Sequence, residues 1–179
     1  ATRPWRELVI IRMDERLAPS PNCEMSRGLF VTGTDTGVGK TAIAASLLRA
    51  LRGSCRGVGM KPVAAGIDDG ESLNADVRAL IDAGNVDAPL SDVNPYAFSP
   101  PIAPELAARA AGAVIHLEVI ATAYSRLAER AERVIVEGAG GALVPLTRHA
   151  DMLDIPRRLA IPVLLVVGLR LGCLNHALL

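Results

Sequence analysis

The chain has 179 residues, half of them apolar, with 19 basic residues against 19 acidic ones. That is material for one domain with a sizeable core, and the balanced charge creates no field that would draw nucleic acid or an anionic membrane. The longest unbroken aliphatic run, Val163 to Val167, is far below the roughly 20 residues a membrane-spanning helix needs.

Residues 1–27 mix proline, arginine and acidic residues with no sustained period. No apolar stretch precedes a small-residue cleavage site, which argues against a secretory signal. Met25 is a natural start just ahead of the first clear strand, so residues 1–27 read as an N-terminal extension outside the fold and residues 28–179 as the domain. Removing residues 1–24 should then leave the fold untouched. Leu29 to Thr32 reads as a short strand, and Ile43, Ala44, Leu47, Leu48 and Leu51 then recur at helical spacing. A second strand spans Val58 to Lys61 and is closed by Pro62; a helix spans Glu71 to Ala83 and is ended by Gly84. The proline-rich stretch from Asn94 to Pro104 is a loop. Leu117, Ile120, Tyr124, Leu127 and Ala131 form a helical stripe ahead of the buried strand Arg133 to Glu137. Residues 161–168, IPVLLVVG, have the continuous aliphatic character of a central strand covered on both faces, and the last residues read as the first turns of a helix. Strands alternating with helices predict an α/β fold, an open, mostly parallel sheet with helices on both faces, whose ligands gather beyond the carboxyl ends of the strands.

The chemistry concentrates at those ends. Residues 28–41, GLFVTGTDTGVGKT, finish as a phosphate-binding loop of the form G-x-x-x-x-G-K-[ST], but Gly33 comes one place early, where Thr34 would have to be glycine. A glycine-rich loop between a strand and a helix directs backbone N–H groups and the positive helix end at an anion. Lys40 would neutralise β- and γ-phosphates and the Thr41 hydroxyl would bind Mg²⁺, which makes the fold P-loop NTPase-like. The chain has seventeen arginines and only two lysines, Lys40 and Lys61. A lysine is a compact charge that fits a small oxyanion pocket where the wide arginine fork does not, and Lys61 ends a strand on the same sheet edge as the loop. Glu137 closes its strand before the glycines at 138, 140 and 141, where a carboxylate faces a nucleotide. Asp76 could give Mg²⁺ a second oxygen, yet alone it reads first as a solvated helix residue or a cap. Asp35, Asp68 and Asp69 are loop acids suited to turns. His116, His149 and His176 have no metal-site spacing, and Cys23, Cys55 and Cys173 are scattered and odd in number, which fits a reducing cytoplasm and neither a disulfide framework nor a zinc site.

Five stretches in order carry a resemblance: GTDTGVGKT (33–41), KPVAAG (61–66), NPYAF (94–98), VEGAGGALVPL (136–146) and PVLLVVGLRLGCLNHALL (162–179). Together they resemble the dethiobiotin synthetase family of biotin biosynthesis from about Leu29 onward. The resemblance implies a cytoplasmic, homodimeric ligase that uses ATP and Mg²⁺ to carboxylate and close 7,8-diaminononanoate with CO₂, through a carbamate and a carbamic-phosphoric anhydride. By the same resemblance Thr36, Lys40 and Lys61 would be catalytic. Thr36, Gly37, Val38, Gly39, Lys40 and Thr41 would hold the nucleotide phosphates, and Thr41, Asp76 and Glu137 the metal. Lys61, Ala65, Gly138, Ala139, Gly140 and Gly141 would border the substrate, whose carboxylate would go to Gly172, Cys173, Leu174 and Asn175 of the neighbouring subunit. Ala65 departs from a frequent family serine and Glu105 from a frequent histidine. The family's adenine-holding loops would lie beyond Leu179, so the domain reads as incomplete at its C-terminus.

Rival readings make other demands. A partitioning-ATPase-like nucleotide switch carries an additional lysine early in the loop, and positions 33–38 have none. A cobyrinate-type amidotransferase would add a glutamine-hydrolysing domain, for which the chain has no room. An inactive fragment or scaffold would have lost phosphate ligands that are present here.

Overall fold

The structure is a computed structural model that describes residues 8–12, 27–67 and 73–178. In chain order the elements are β1 (Leu8–Arg12), β2 (Gly28–Gly33), α1 (Lys40–Leu51), β3 (Gly57–Met60), β4 (Val63–Ala65), α2 (Ala75–Ala83), α3 (Leu90–Val93), β5 (Tyr96–Phe98), α4 (Pro104–Ala110), α5 (Leu117–Arg130), β6 (Arg133–Glu137), α6 (Asp154–Leu159), β7 (Val163–Gly168) and α7 (Cys173–Leu178). Five strands form one sheet in the order β1-β7-β2-β6-β3, and β4 and β5 form a separate parallel pair. β2 runs parallel to β6 and β7, and β3 parallel to β6, so the ends of these strands share one edge. Only β1 is antiparallel, against β7. The open, mostly parallel sheet expected from the sequence is the sheet observed.

Its two faces can be read from neighbouring residues. Phe30, Val134, Val136, Val58 and Met60 join a core with residues of α3, α4, α5 and α6. Their chain neighbours Val31 and Ile135 join a second core under α1 and α2, made by Ala44, Ala45, Leu48, Leu80 and Ala83. A strand with period-2 side chains that is apolar at every position must be covered on both sides, and the helices provide the two covers. The buried apolar residues of α1 are the small Ala44 and Ala45 with Leu48, while Ile43, Leu47 and Leu51 flank them; this lets the helix lie close to the strands. Gly59 allows the same closeness for α2, since a Cβ on it would sit 2.7 Å from the Leu80 Cβ.

Beyond shifts of one or two residues at strand ends, three readings differ from the structure, the first being that the stretch from Asn94 to Pro104 is not all loop but contains β5. Helix α2 starts at Ala75, not Glu71, because Asn74 is extended and its side chain accepts the Asp76 N–H at 3.0 Å as a cap. Residues 68–72, including Asp68 and Asp69, lie outside the described residues. Part of the stretch read as an N-terminal extension lies in the sheet: Leu8 to Arg12 pair with Leu164 to Gly168. The rest of residues 1–26 is outside the described residues.

Two outcomes follow. Gly59→Ala should destabilise the protein by about 1–3 kcal/mol through overpacking against Leu80, read as a lower midpoint in urea; an unchanged midpoint would show that α2 can move away freely. Deleting residues 1–24 should uncover the edge of β7 and lower the melting temperature by a few degrees, with more aggregation, and coincident melting curves would deny β1 any share in stability.

Candidate phosphate-binding and catalytic site

The early glycine of the loop has a steric reason. A Cβ at position 33 would meet Val38 Cγ2 at 2.7 Å and Lys40 Cγ and Cδ at 3.2 Å, so Gly33 makes room for the loop to fold Val38 beneath itself. Gly37 and Gly39 have φ of +73° and +104°, conformations that glycine adopts without strain. Helix α1 opens directly after them, at Lys40, and its first N–H groups have no intrahelical partner. Asp35 braces the turn: its Oδ1 accepts the Thr36 N–H at 2.8 Å and its Oδ2 accepts Arg170 at 2.6 Å. Its carbonyl accepts the Lys40 ammonium at 2.8 Å. Burial, and then the neighbouring charge of Lys61, pulls Lys40 below the ordinary lysine value, against the attraction of Glu137, Asp76 and Asp35.

Lys61 comes from the end of β3 and is 3% exposed. It donates to Glu137 Oε1 at 2.7 Å, Asp76 Oδ2 at 2.8 Å and the Gly138 carbonyl at 3.3 Å. Glu137 is fully buried at the end of β6. Asp76 is delivered by the first turn of α2, and Thr41 by the first turn of α1. The Thr41 hydroxyl lies 2.8 Å from both Asp76 Oδ1 and Glu137 Oε1. Burial works against the Asp76 carboxylate, but the charge of Lys61 and the hydrogen bonds from Lys61 and Thr41 outweigh it and hold it below the usual carboxylate range. Two ammonium groups and two carboxylates thus balance at the bottom of one site, as buried charges require.

The glycine run after β6 lies against the phosphate loop. The Gly138 N–H donates to the Val31 carbonyl at 2.9 Å and the Ala142 N–H to the Gly33 carbonyl at 3.1 Å. Gly140 has φ of +67°, and its backbone passes close enough to Thr36 that a Cβ would be 3.8 Å from the hydroxyl. A cleft of about 680 Å³ opens above these groups, with Thr36, Gly37, Gly39, Lys40, Thr41, Lys61, Ala65, Asp76, Glu137, Ala139 and Gly140 in its lining. Its apolar wall is Val144 with Pro101 to Pro104. The structure therefore gathers most of the predicted phosphate positions with the metal and lysine positions into one cavity; Val38, Gly138 and Gly141 are not in its lining, and Gly141 lines a second cavity. Gly172, Cys173, Leu174 and Asn175 are not brought there. They begin α7 on an exposed turn, next to that second cavity, of about 420 Å³, which His176 lines together with Thr34 and Asp35. Glu105 is also outside the main cleft and donates its N–H to the Pro145 carbonyl at 3.3 Å.

Sequence reasoning missed Asn74, which caps the helix of Asp76 and also donates to the Gly66 carbonyl at 2.8 Å; an asparagine two residues before an acid at a helix start was the available signal. It missed the Arg170–Asp35 pair, whose members are 135 residues apart, and for this no sequence signal exists.

The donor set fits a hard divalent cation. Two carboxylates and a hydroxyl converge, and Glu137 Oε2 is buried with no hydrogen-bond partner among the described residues. The single hydroxyl hydrogen of Thr41 cannot serve both carboxylate oxygens at 2.8 Å, so the cluster is richer in acceptors than in donors. Among the described residues no group of three or more His, Cys, Asp or Glu side chains forms a metal cluster, so a cation here would depend on phosphate oxygens and water as well. No described helix is long and apolar enough to cross a membrane.

Residues 27–179 match a family model described as an AAA domain. The chain is 53% identical over 156 residues to the ATP-dependent dethiobiotin synthetase BioD of Nitrosospira multiformis, covering 87% of this chain and 68% of the relative. It is 49% identical over 151 residues to the protein of that name from Xanthomonas euvesicatoria pv. vesicatoria, covering 83% and 67%. With that of Aromatoleum aromaticum the identity is 47% over 156 residues, covering 86% and 69%. Identity near one half across two thirds of each relative goes well beyond a shared fold: the chain belongs to the ATP-dependent dethiobiotin synthetase family.

Proposed function

We propose that the cleft closes the ureido ring of dethiobiotin from 7,8-diaminononanoate and CO₂ at the expense of ATP, in the cytoplasm. One amine captures CO₂ as a carbamate with loss of a proton, and a carbamate oxygen attacks the γ-phosphorus of ATP as its bond to the bridging oxygen breaks and ADP leaves. The second amine then attacks the mixed anhydride, forming the ring C–N bond as the bond to phosphate breaks. The observation that supports this most directly is the meeting of the chain's two lysines with Thr41, Asp76 and Glu137 around one cavity. A reaction joining two anions, carbamate and phosphate, needs opposed cations held in place beforehand.

In this reading Thr36 and the N–H groups of Gly37 to Thr41 bind the phosphates, and Lys40 leaves the Asp35 carbonyl to neutralise them. Lys61 stabilises the charge that develops between the carbamate and the transferred group. Mg²⁺ would be held by Thr41, Asp76 and Glu137 and would supply charge neutralisation for the phosphoryl group. Ala65 and the segment Gly138 to Gly141 border the diamine, and the apolar wall of Val144 and Pro101 to Pro104 excludes water from its aliphatic part. A homodimer would bring Gly172, Cys173, Leu174 and Asn175 of one copy to the substrate carboxylate bound in the other; exposed Leu171, Leu174 and Leu178 around that turn support such a contact.

Phosphate release from ATP, with bicarbonate and with or without 7,8-diaminononanoate, tests the reading. Release should require the diamine, whereas release that ignores it would favour a nucleotide switch. Lys61→Gln should lower turnover at least about 100-fold, the scale of losing one charge-stabilising donor, with the Kd for ATP changed less than about threefold; retained turnover would remove Lys61 from the chemistry.

A further inference from the structure

Lys61 sits just past the point where the sheet can hold it. Its strand, β3, lies at one edge of the five and ends at Met60. Pro62 follows, which has no N–H to give and forces the residue before it into an extended conformation. The main-chain groups of Lys61 are instead taken by two consecutive residues at the end of α3. Its N–H donates to the Val93 carbonyl at 2.8 Å. Its carbonyl accepts the side-chain amide of Asn94 at 2.7 Å.

Asn94 is itself firmly placed. It is 8% exposed, and its own N–H closes α3 on the Leu90 carbonyl at 2.7 Å. The second amide hydrogen goes to the Tyr96 carbonyl at 2.9 Å. Both partners of the amide are carbonyl oxygens, which accept only, so the NH₂ group must face them and its orientation is fixed. Tyr96 in turn donates its N–H to the Pro62 carbonyl at 3.2 Å. One side chain therefore ties the end of β3 to the start of β5, with Lys61 at the junction.

We propose that Asn94 is a positioning residue for Lys61, fixing the main chain from which the ammonium reaches the reacting group; this rests on the role given to Lys61 above. Lysine reaches its partners through four rotatable bonds, so a shift at its Cα is carried to the nitrogen unless the site pulls it back. The carboxylates hold the tip and Asn94 holds the base. A misplacement of about 1 Å in a catalytic group can cost on the order of 100-fold in rate.

The chain offers a direct probe, because it has only two lysines. Isotope labelling of lysine side chains gives two NMR signals, and Lys61→Gln identifies one by removing it. Asn94→Asp keeps the shape but sets a carboxylate against two carbonyls; Asn94→Ala leaves room for a water and carries the same test if the aspartate variant does not fold. Either variant should lower kcat about 10- to 100-fold, leave KM for ATP within about threefold, and shift the Lys61 signal while the Lys40 signal stays. A kcat within about twofold of the parent would overturn the proposal. So would a fall in kcat in which both lysine signals move and KM for ATP rises in step, the signature of general loosening. If Lys61→Gln itself retained turnover, the role of Lys61 would fail, and the Lys61 signal in the Asn94 variants would still decide whether Asn94 holds it.

Discussion

The ammonium of Lys61 and the carboxylate of Glu137, 2.7 Å apart and both almost without solvent, set the terms for the rest of the molecule. Removing either partner from such a pair leaves an uncompensated buried charge, so every element around it has to deliver its group accurately. The sheet register does much of this. Met60 pairs with Val136 across β3 and β6, which makes the next residues, Lys61 and Glu137, neighbours where both strands end. Helix α2 then has to bring Asp76 and helix α1 Thr41, and the glycine at 59 and the alanines at 44 and 45 let those helices come close enough. The packing of the second core and the electrostatics of the site are one design constraint.

The sheet was legible in the sequence because its strands are apolar on both faces and short. Arg133 to Glu137 emerges with the boundaries read from the pattern, and β2, β3 and β7 differ by only one or two residues at an end. Their terminal residues then placed Lys61 and Glu137 on one edge. What failed to show was structure held by single contacts. β4 and β5 have three residues each, too few for a period, and exist because Pro62 and Asn94 bring their starts together. β1 lies in a stretch whose surroundings mix charge and proline, and its antiparallel partner is more than 150 residues away in sequence. The start of α2 depended on one capping side chain, not on the helical pattern that was counted.

The same division holds for the site. Residues with a local motif, Lys40 and Thr41, could be assigned from spacing, because a strand, a glycine loop and a helix determine where their groups point. Asp76 could not be separated from an ordinary helix acid by its own spacing; the family resemblance singled it out, and its 2.8 Å distance to the Thr41 hydroxyl fits that reading. Asn94 and Arg170 act by hydrogen bonds to main chain or to a distant turn, and nothing in their immediate neighbours marks them, whereas Asn74 carries only the weak signal of a cap two residues before an acid. Positioning is a property of the fold, whereas ligand chemistry is in part a property of the motif.

The stoichiometry of Lys61 has a last consequence. An ammonium has three hydrogens, and three oxygens, from Asp76, Glu137 and Gly138, stand within reach of this one. A nitrogen so engaged has no lone pair to offer an electrophile. Lys40, closed on a carbonyl of its own loop, is likewise guarded, and the rest of the chain has arginine where other proteins carry lysine. For an active site proposed to generate an acylating intermediate, the sequence thus offers two side-chain amines, and the structure holds both in hydrogen bonds.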